Sequence, residues 1–274
     1  VRLGIALPIG STEEPVGDVI SRDAQAAEEH GFDSVWFFDS LGRGRMSLDP
    51  LIGVSVAAAA TRGIEVGIGI LQVPLRHPVE LAHRVLTAQL ICQGRLLLGV
   101  GAGSTRGDFE AVGQDYDDRM RTLRESLATM RRLWRGEEVN GTSLGPVSTV
   151  QGGPPVLIGS WGGERWIPWA AQEFDGWVAS AAFTGFDALA QGIKRYRDAG
   201  GKRAIVTNIS VDLEADEPLD DAARPFHLHA SPGVAAERLQ RLGELGFDDA
   251  VLVHRGQREA DLSMIRGLLG REAR

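Results

Sequence analysis

The stretch Gly94-Arg95-Leu96-Leu97-Leu98-Gly99-Val100-Gly101-Ala102-Gly103-Ser104 decides how the chain is read. Leu96, Leu97 and Leu98 make a short continuous apolar run, the pattern of a strand buried on both faces. The run passes directly into glycines at 99, 101 and 103. Glycine admits positive φ and lacks the Cβ that would hold a ligand away from the backbone. A buried parallel strand ending in such a loop is where α/β proteins receive flat or phosphorylated ligands. A plain chain reversal uses the same residues, and on this stretch alone both readings stand open.

Working outward, apolar runs alternate with amphipathic segments along the chain. Strands are expected at Arg2 to Leu7, Phe32 to Phe38, Ile64 to Leu71, the Leu96 run, Pro155 to Gly159, Asp175 to Ala179, Arg203 to Val211 and Asp248 to Val253. Helices are expected between them. Asp49 caps one whose first position is Pro50. Met120, Leu123, Leu127, Met130 and Trp134 give another the clearest helical period in the chain. Ser231-Pro232 caps a later one that Gly246 stops. Eight strand–helix alternations without a break in composition predict an α/β fold, a single (β/α)8 barrel over residues 1–274.

Composition narrows the function. The chain has 274 residues, 43% hydrophobic and 24% charged, enough for a substantial core. Its net charge of −8 argues against a nucleic-acid binder, which needs clustered Lys and Arg on phosphates. The single cysteine, Cys92, excludes an internal disulfide and any CxxC motif. No signal-peptide pattern appears, and no apolar run reaches the ~18 residues of a membrane span. A cytoplasmic protein is the expectation.

Several motifs fail on context. Gly141-Thr142-Ser143-Leu144-Gly145 matches GxSxG, but a helix precedes it and Pro146 follows, whereas a nucleophile elbow needs a strand before and a helix after. His227-Leu228-His229 could place two imidazoles on one metal; without a cysteine, and after an acidic loop and Pro225, it reads as a surface or rim pair. Three clusters remain, all at C-terminal strand ends. Asp39-Ser40 offers a carboxylate for proton transfer, or a cap. Gly67-Ile68-Gly69-Ile70 leads to Arg76, which binds an anion or braces the rim, the brace being preferred. Gly159-Ser160-Trp161-Gly162-Gly163 precedes a helix whose free N–H groups suit phosphate.

Taken together, these segments resemble the luciferase-like monooxygenase superfamily, in particular its branch using the deazaflavin coenzyme F-420. The resemblance runs through Leu3-Gly4-Ile5-Ala6-Leu7-Pro8, Gly31-Phe32-Asp33-Ser34-Val35-Trp36 to Asp39, Arg76-His77-Pro78 and Gly94 to Gly103. It continues in Asp108 to Gly113, Pro154 to Gly159 and Asp175-Gly176-Trp177. It implies a (β/α)8 barrel, often dimeric, with coenzyme F-420 (8-hydroxy-5-deazaflavin), or flavin mononucleotide as the alternative, at the C-terminal face. It also implies that the coenzyme ring lies against Gly69-Ile70, often joined by a cis peptide. Gly101, Ala102, Gly103 and Ser104, then Gly159, Ser160, Gly162 and Gly163, and the hydroxyl of Ser180, match coenzyme-contacting positions. Asp39 is the catalytic candidate. Two departures matter. Ser40 stands where many members have His, and Ser104 where the sugar-phosphate dehydrogenases have Glu. Both remove a proton-transferring group, so hydride transfer between coenzyme and a small organic substrate is the favoured reading over sugar-phosphate oxidation. A flavin-dependent monooxygenase, a barrel that holds coenzyme without turnover, and a non-redox barrel enzyme acting on a phosphorylated metabolite are the rivals. The segment from Glu137 to Gly153, a lid region, is short for the family and implies an open or small site.

Overall fold

A computed structural model describes residues 1–7, 13–41, 44, 46–145, 147–161, 165–254 and 259–270, with 259 and 260 described by backbone alone. The strands are β1 (Arg2–Ala6), β2 (Ser34–Phe37), β3 (Glu65–Gln72), β4 (Leu96–Gly101), β5 (Val156–Gly159), β6 (Gly176–Ser180), β7 (Arg203–Asp212), β8 (His227–His229) and β9 (Asp249–Val253). The helices are α1 (Val16–Glu29), α2 (Pro50–Ala60), α3 (Pro78–Cys92), α4 (Arg106–Val112), α5 (Arg119–Trp134), α6 (Trp166–Glu173), α7 (Phe186–Asp198), α8 (Pro232–Leu245) and α9 (Glu259–Gly267). Seven strands, β1 to β7, pair in parallel in chain order, and β9 joins β7 to β1. The eight-stranded parallel barrel expected from the alternation is therefore closed.

The apolar runs serve two cores. Side chains alternate across a strand, so Leu97 points into the barrel while Leu96 and Leu98 face the helix layer. The inner core consists of Trp36, Leu97, Leu157, Val178, Ile205 and Val251, with Ile70 packed on it. Trp36 is fully buried, and its indole Nε1 donates to Ser34 Oγ at 2.8 Å. The helix layer includes Cys92, whose thiol burial pushes up to about 11, consistent with a packing role.

At the N-terminal end of the barrel, charges are paired rather than avoided. Arg203 donates to both carboxylate oxygens of Glu65 (3.0 and 2.8 Å) and to both of Asp249 (2.9 and 2.9 Å). Arg2 pairs with the same two acids and with Asp33. This network joins β1, β3, β7 and β9 across the floor.

The local signals behave as their chemistry predicts, with three differences. Asp49 caps α2, accepting from the N–H groups of Leu51 (2.9 Å) and Ile52 (3.3 Å). Ser231 occupies the N-cap of α8 without a side-chain capping bond. The segment after Gly103 contains an additional helix, α4, ahead of α5. The third difference is β8, which pairs only with the end of β7, Ser210 to Asp212. Three residues are too short for an alternation to show, and the acidic excursion before them hides the pairing. That excursion is largely exposed, and two of its acids still find partners: Asp221 pairs with Arg241, and Glu217 approaches both histidines. Among the described residues, no helix is long and apolar enough to cross a membrane.

Candidate active site at the barrel mouth

Because all barrel strands are parallel, their C-terminal ends share one face, and two backbone irregularities shape it. The pairing of β3 with β4 shifts register between Ile68 and Leu71, and the Gly69–Ile70 peptide within that shift is cis. The pairing of β7 with β9 shifts between Val206 and Ile209, with Asn208 in the left-handed region at φ 60°. Bulges re-aim side chains, and they concentrate at barrel rims and active sites.

The first irregularity delivers Ile70 onto the inner core as a half-buried apolar floor. The glycines that opened the sequence reading explain how it fits. A Cβ on Gly101 would lie 2.8 Å from Ile70 Cδ1, and one on Gly159 would lie 2.7 Å from Ile70 Cγ2. A Cβ on Gly99 would strike the Ile68 carbonyl oxygen. The glycines thus first make room for the protein's own Ile70 and for strand packing. Gly103 has φ 80°, and a Cβ there would lie 2.7 Å from Gln72 Oε1 and 3.1 Å from the Phe109 ring.

Polar groups gather toward the same end of the barrel. Asp39, just after β2, accepts from the two terminal guanidinium nitrogens of Arg76 (2.6 and 2.9 Å) and from the Gln72 N–H (2.8 Å). Its side chain is only 4% exposed, so the carboxylate is engaged in bracing the rim. This is the brace expected of Arg76, and Asp39 is the residue it holds. Gln72 is buried and reaches from β3 to the Asp39 carbonyl (3.3 Å) and to Asp108 (3.4 Å). Across the mouth, Asn208 Nδ2 donates to Ser180 Oγ (3.2 Å) and to Thr207 Oγ1 (3.1 Å).

The remaining predicted residues divide as follows. Gly101, Ala102, Gly103, Gly159, Ser160 and Ser180 lie at or just after the C-terminal ends of β4, β5 and β6, and Gly69 and Ile70 lie within the C-terminal half of β3. Ser104 is exposed, and its carbonyl accepts from the Tyr116 hydroxyl (3.2 Å). The Ser160 carbonyl accepts from Trp177 Nε1 at 3.0 Å, which pins the β5 loop to β6. Gly162 and Gly163 lie outside the described residues. Gln72 and Asn208 escaped the sequence reading, although Asn within an apolar strand run is a signal, being disfavoured there. Also missed was an exposed aromatic pair: Trp161 and Phe183 stack at 4.4 Å between centroids just beyond β5 and β6.

The GxSxG match is discounted by the fold. Val139 and Thr142 form an isolated bridge there, and Ser143, Leu144 and Gly145 are not helical.

An apolar floor with hydrogen-bonding groups toward the same end of the barrel suits a flat heteroaromatic ring, which needs a face to lie on and partners for its polar rim. The chain is 35% identical over 136 residues to 4-hydroxyprotoasukamycin monooxygenase of Streptomyces nodosus subsp. asukaensis, covering 48% of this chain and 36% of that protein. It is 27% identical over 252 residues to an F-420-dependent glucose-6-phosphate dehydrogenase of Amycolatopsis mediterranei, covering 81% and 75%. The chain spans 36% to 62% of the length of the first curated relatives it matches. Among solved structures, the oxygenating constituent of 3,6-diketocamphane monooxygenase from Pseudomonas putida, in complex with FMN, superposes with a TM-score of 0.75. It does so at 19% identity over 99% of this chain and 97% of that one, a likeness of fold. The model of the luciferase-like monooxygenase family matches residues 2–262, and the chain belongs to that family.

Proposed function

We propose that this protein is an oxidoreductase that binds coenzyme F-420 across Ile70 at the barrel mouth and serves hydride transfer between it and a small organic substrate. The observation that carries the proposal is the half-buried Ile70, seated against Gly101 and Gly159 on the inner core, with Gln72, Ser180 and Asn208 in the C-terminal parts of the same barrel's strands. When bound, the deazaflavin supplies the hydride chemistry, and the chain's own residues supply position and electrostatics. Ile70 supports one face of the ring and excludes water beneath it. The Ala102-Gly103-Ser104 loop runs beside it, whereas the Ser160 N–H is already committed to the Val178 carbonyl (3.1 Å). Ser180, oriented by Asn208, presents its hydroxyl. Asp39 acts as a positioning residue that holds Arg76 and Gln72.

A deazaflavin is preferred to flavin mononucleotide because its longer anionic tail finds more cationic surface. An open groove of about 470 Å³ between the starts of α5 and α6 is bordered by Arg124 and Arg165, and by Arg121, which pairs with Asp118 and Glu125. Both helices begin on the mouth side, so their N-terminal dipoles add to the attraction. The homodimer expected of the family finds support in Ile52 of α2 and Leu90 and Ile91 of α3, all exposed. Sedimentation would weigh that assembly.

The test is a side-by-side fluorescence titration of coenzyme F-420 and flavin mononucleotide against the wild-type chain and Ile70→Glu. Tighter binding of F-420, lost in the folded Ile70→Glu variant, is expected. Tighter binding of flavin mononucleotide overturns the coenzyme assignment, and unchanged affinity in the variant overturns its place. Reduced coenzyme that binds yet is never oxidised by any acceptor would make the barrel a coenzyme holder.

A further inference from the structure

We propose that Glu217, His227 and His229 form a binding site for one divalent ion of the zinc class, on the side of β7 away from its pairing with β9. The sequence offered two histidines and no third ligand; the fold supplies Glu217 from the excursion between β7 and β8. One ligand atom from each residue lies within 4.8 Å of the others.

The placement follows from strand geometry. β6 stops pairing with β7 at Thr207, and β8 takes up the freed edge at Ser210 to Asp212. Side chains alternate along β8. Leu228 is fully buried in the helix-layer core, which leaves His227 and His229 together on the opposite face. Their ring centroids are 4.5 Å apart. Glu217 Oε2 lies 3.0 Å from His229 Nδ1 and 4.0 Å from His227 Nε2. In a tetrahedral zinc site with metal–ligand distances of about 2.0–2.2 Å, ligand atoms sit about 3.3–3.6 Å apart. The observed separations bracket that range.

Two further observations point to an ion. His229 Nδ1 is buried and makes no hydrogen bond of acceptable geometry, although the carboxylate oxygen faces it. His229 Nε2 lies 2.8 Å from Ser210 Oγ. If that nitrogen donates to the hydroxyl, the lone pair of Nδ1 is left towards the carboxylate, and two such atoms in contact call for a cation between them. The ligand backbones are also held in place. Arg238, itself 6% exposed, donates to the carbonyls of Glu217 (2.7 Å), His227 (3.3 Å) and His229 (3.4 Å). One guanidinium thus ties all three ligand residues together. His227 needs one adjustment. Its Nδ1 accepts from the His229 N–H at 3.2 Å. Coordination through Nε2 puts the proton on Nδ1 and gives up that contact, or the ring turns over and coordinates through Nδ1.

Imidazole and carboxylate together suit zinc-class ions, and three protein ligands leave a position for water. Access is available, because His229 also borders a recess of about 410 Å³ shared with Ser210, Asp212 and His254. An ion here would clasp residues 213–226 onto β8.

The experiment titrates chelator-treated full chain with Co²⁺, followed by visible absorption, and with Zn²⁺, followed by calorimetry and thermal unfolding. Expected are one ion per chain, a Co²⁺ ligand-field band that Zn²⁺ abolishes, and a raised unfolding temperature. Glu217→Gln and His229→Ala, both at partly exposed side chains, should each weaken Zn²⁺ binding by about 10–100-fold or more. Absence of saturable binding overturns the site and leaves a proton-mediated His229–Glu217 pair. Binding of equal strength in wild type and both variants also overturns it, by placing the ion elsewhere.

Discussion

Gly103 and Arg76 show how single residues at the mouth are constrained by the protein itself. With φ at 80° and Gln72 and Phe109 close by, Gly103 has neither the conformation nor the space for a side chain. Gly103→Val should cost about 1–3 kcal/mol in a denaturant titration, the usual penalty for a branched residue held at positive φ. It should also reduce coenzyme affinity in the folded fraction, because the loop it distorts carries residues 101–104. An unchanged affinity in a folded variant would move this loop out of the site. At Arg76 the argument is electrostatic. Asp39 is nearly sealed from solvent and takes both terminal guanidinium nitrogens. Removing the cation leaves a buried carboxylate without its partner, which typically costs about 3–5 kcal/mol. Arg76→Gln should therefore be markedly destabilised in urea, and Asp39→Asn combined with it should recover part of the loss. If the double variant were no more stable than Arg76→Gln, the pair would not be the reason.

Among the elements, β3 and its neighbours make the clearest case for coupled design. Ile70 occupies space that β4 and β5 leave only by having glycine at 101 and 159. The nearest obstacle to a methyl at position 101 is Ile70 Cδ1. Gly101→Ala alone should overpack the mouth and cost about 1–3 kcal/mol. Ile70→Val removes that Cδ1, so the double variant should be less destabilised than the sum of the two single changes. A double-mutant cycle on unfolding free energies measures this, and strict additivity would refute the seating of Ile70 described above. At the same scale, β8 shows where sequence patterns fail. Three residues following a cis Arg224–Pro225 peptide contain no period to detect, and their pairing partner lies on another strand.

The molecule as a whole is closed at one end by the charges of the barrel floor. Glu65 is partly buried, which by itself raises its pKa, but hydrogen bonds from Arg203 and the charges of Arg203 and Arg2 pull it below the ordinary value. A carboxylate with a lowered folded-state pKa contributes stability that is present above the ordinary carboxylate range. That contribution is lost as pH falls through the ordinary value towards the lowered one. Unfolding free energy should therefore drop below about pH 4.5. Glu65→Gln should be less stable at neutral pH and show a shallower acid dependence; an unchanged slope would exclude Glu65 as its source. The barrel itself was legible in the residues, because the alternation of buried runs with amphipathic segments is a local property and eight such units have few ways to pack. The Asp49 cap, the period of α5 and the placing of Gly101, Gly159 and Ser180 at strand ends were legible for the same reason. What those residues do there was not. The glycines looked like space for a ligand, and the fold spends part of that space on Ile70. Asp39 looked like a proton carrier, and the fold gives it to Arg76. Glu217 meets His227 and His229 only because β8 pairs in parallel with the end of β7. Composition and periodicity determined the architecture because they act between neighbours in the chain. Tertiary structure decided the contacts of the site because those join residues far apart in the chain, whose spacing carries no local signal.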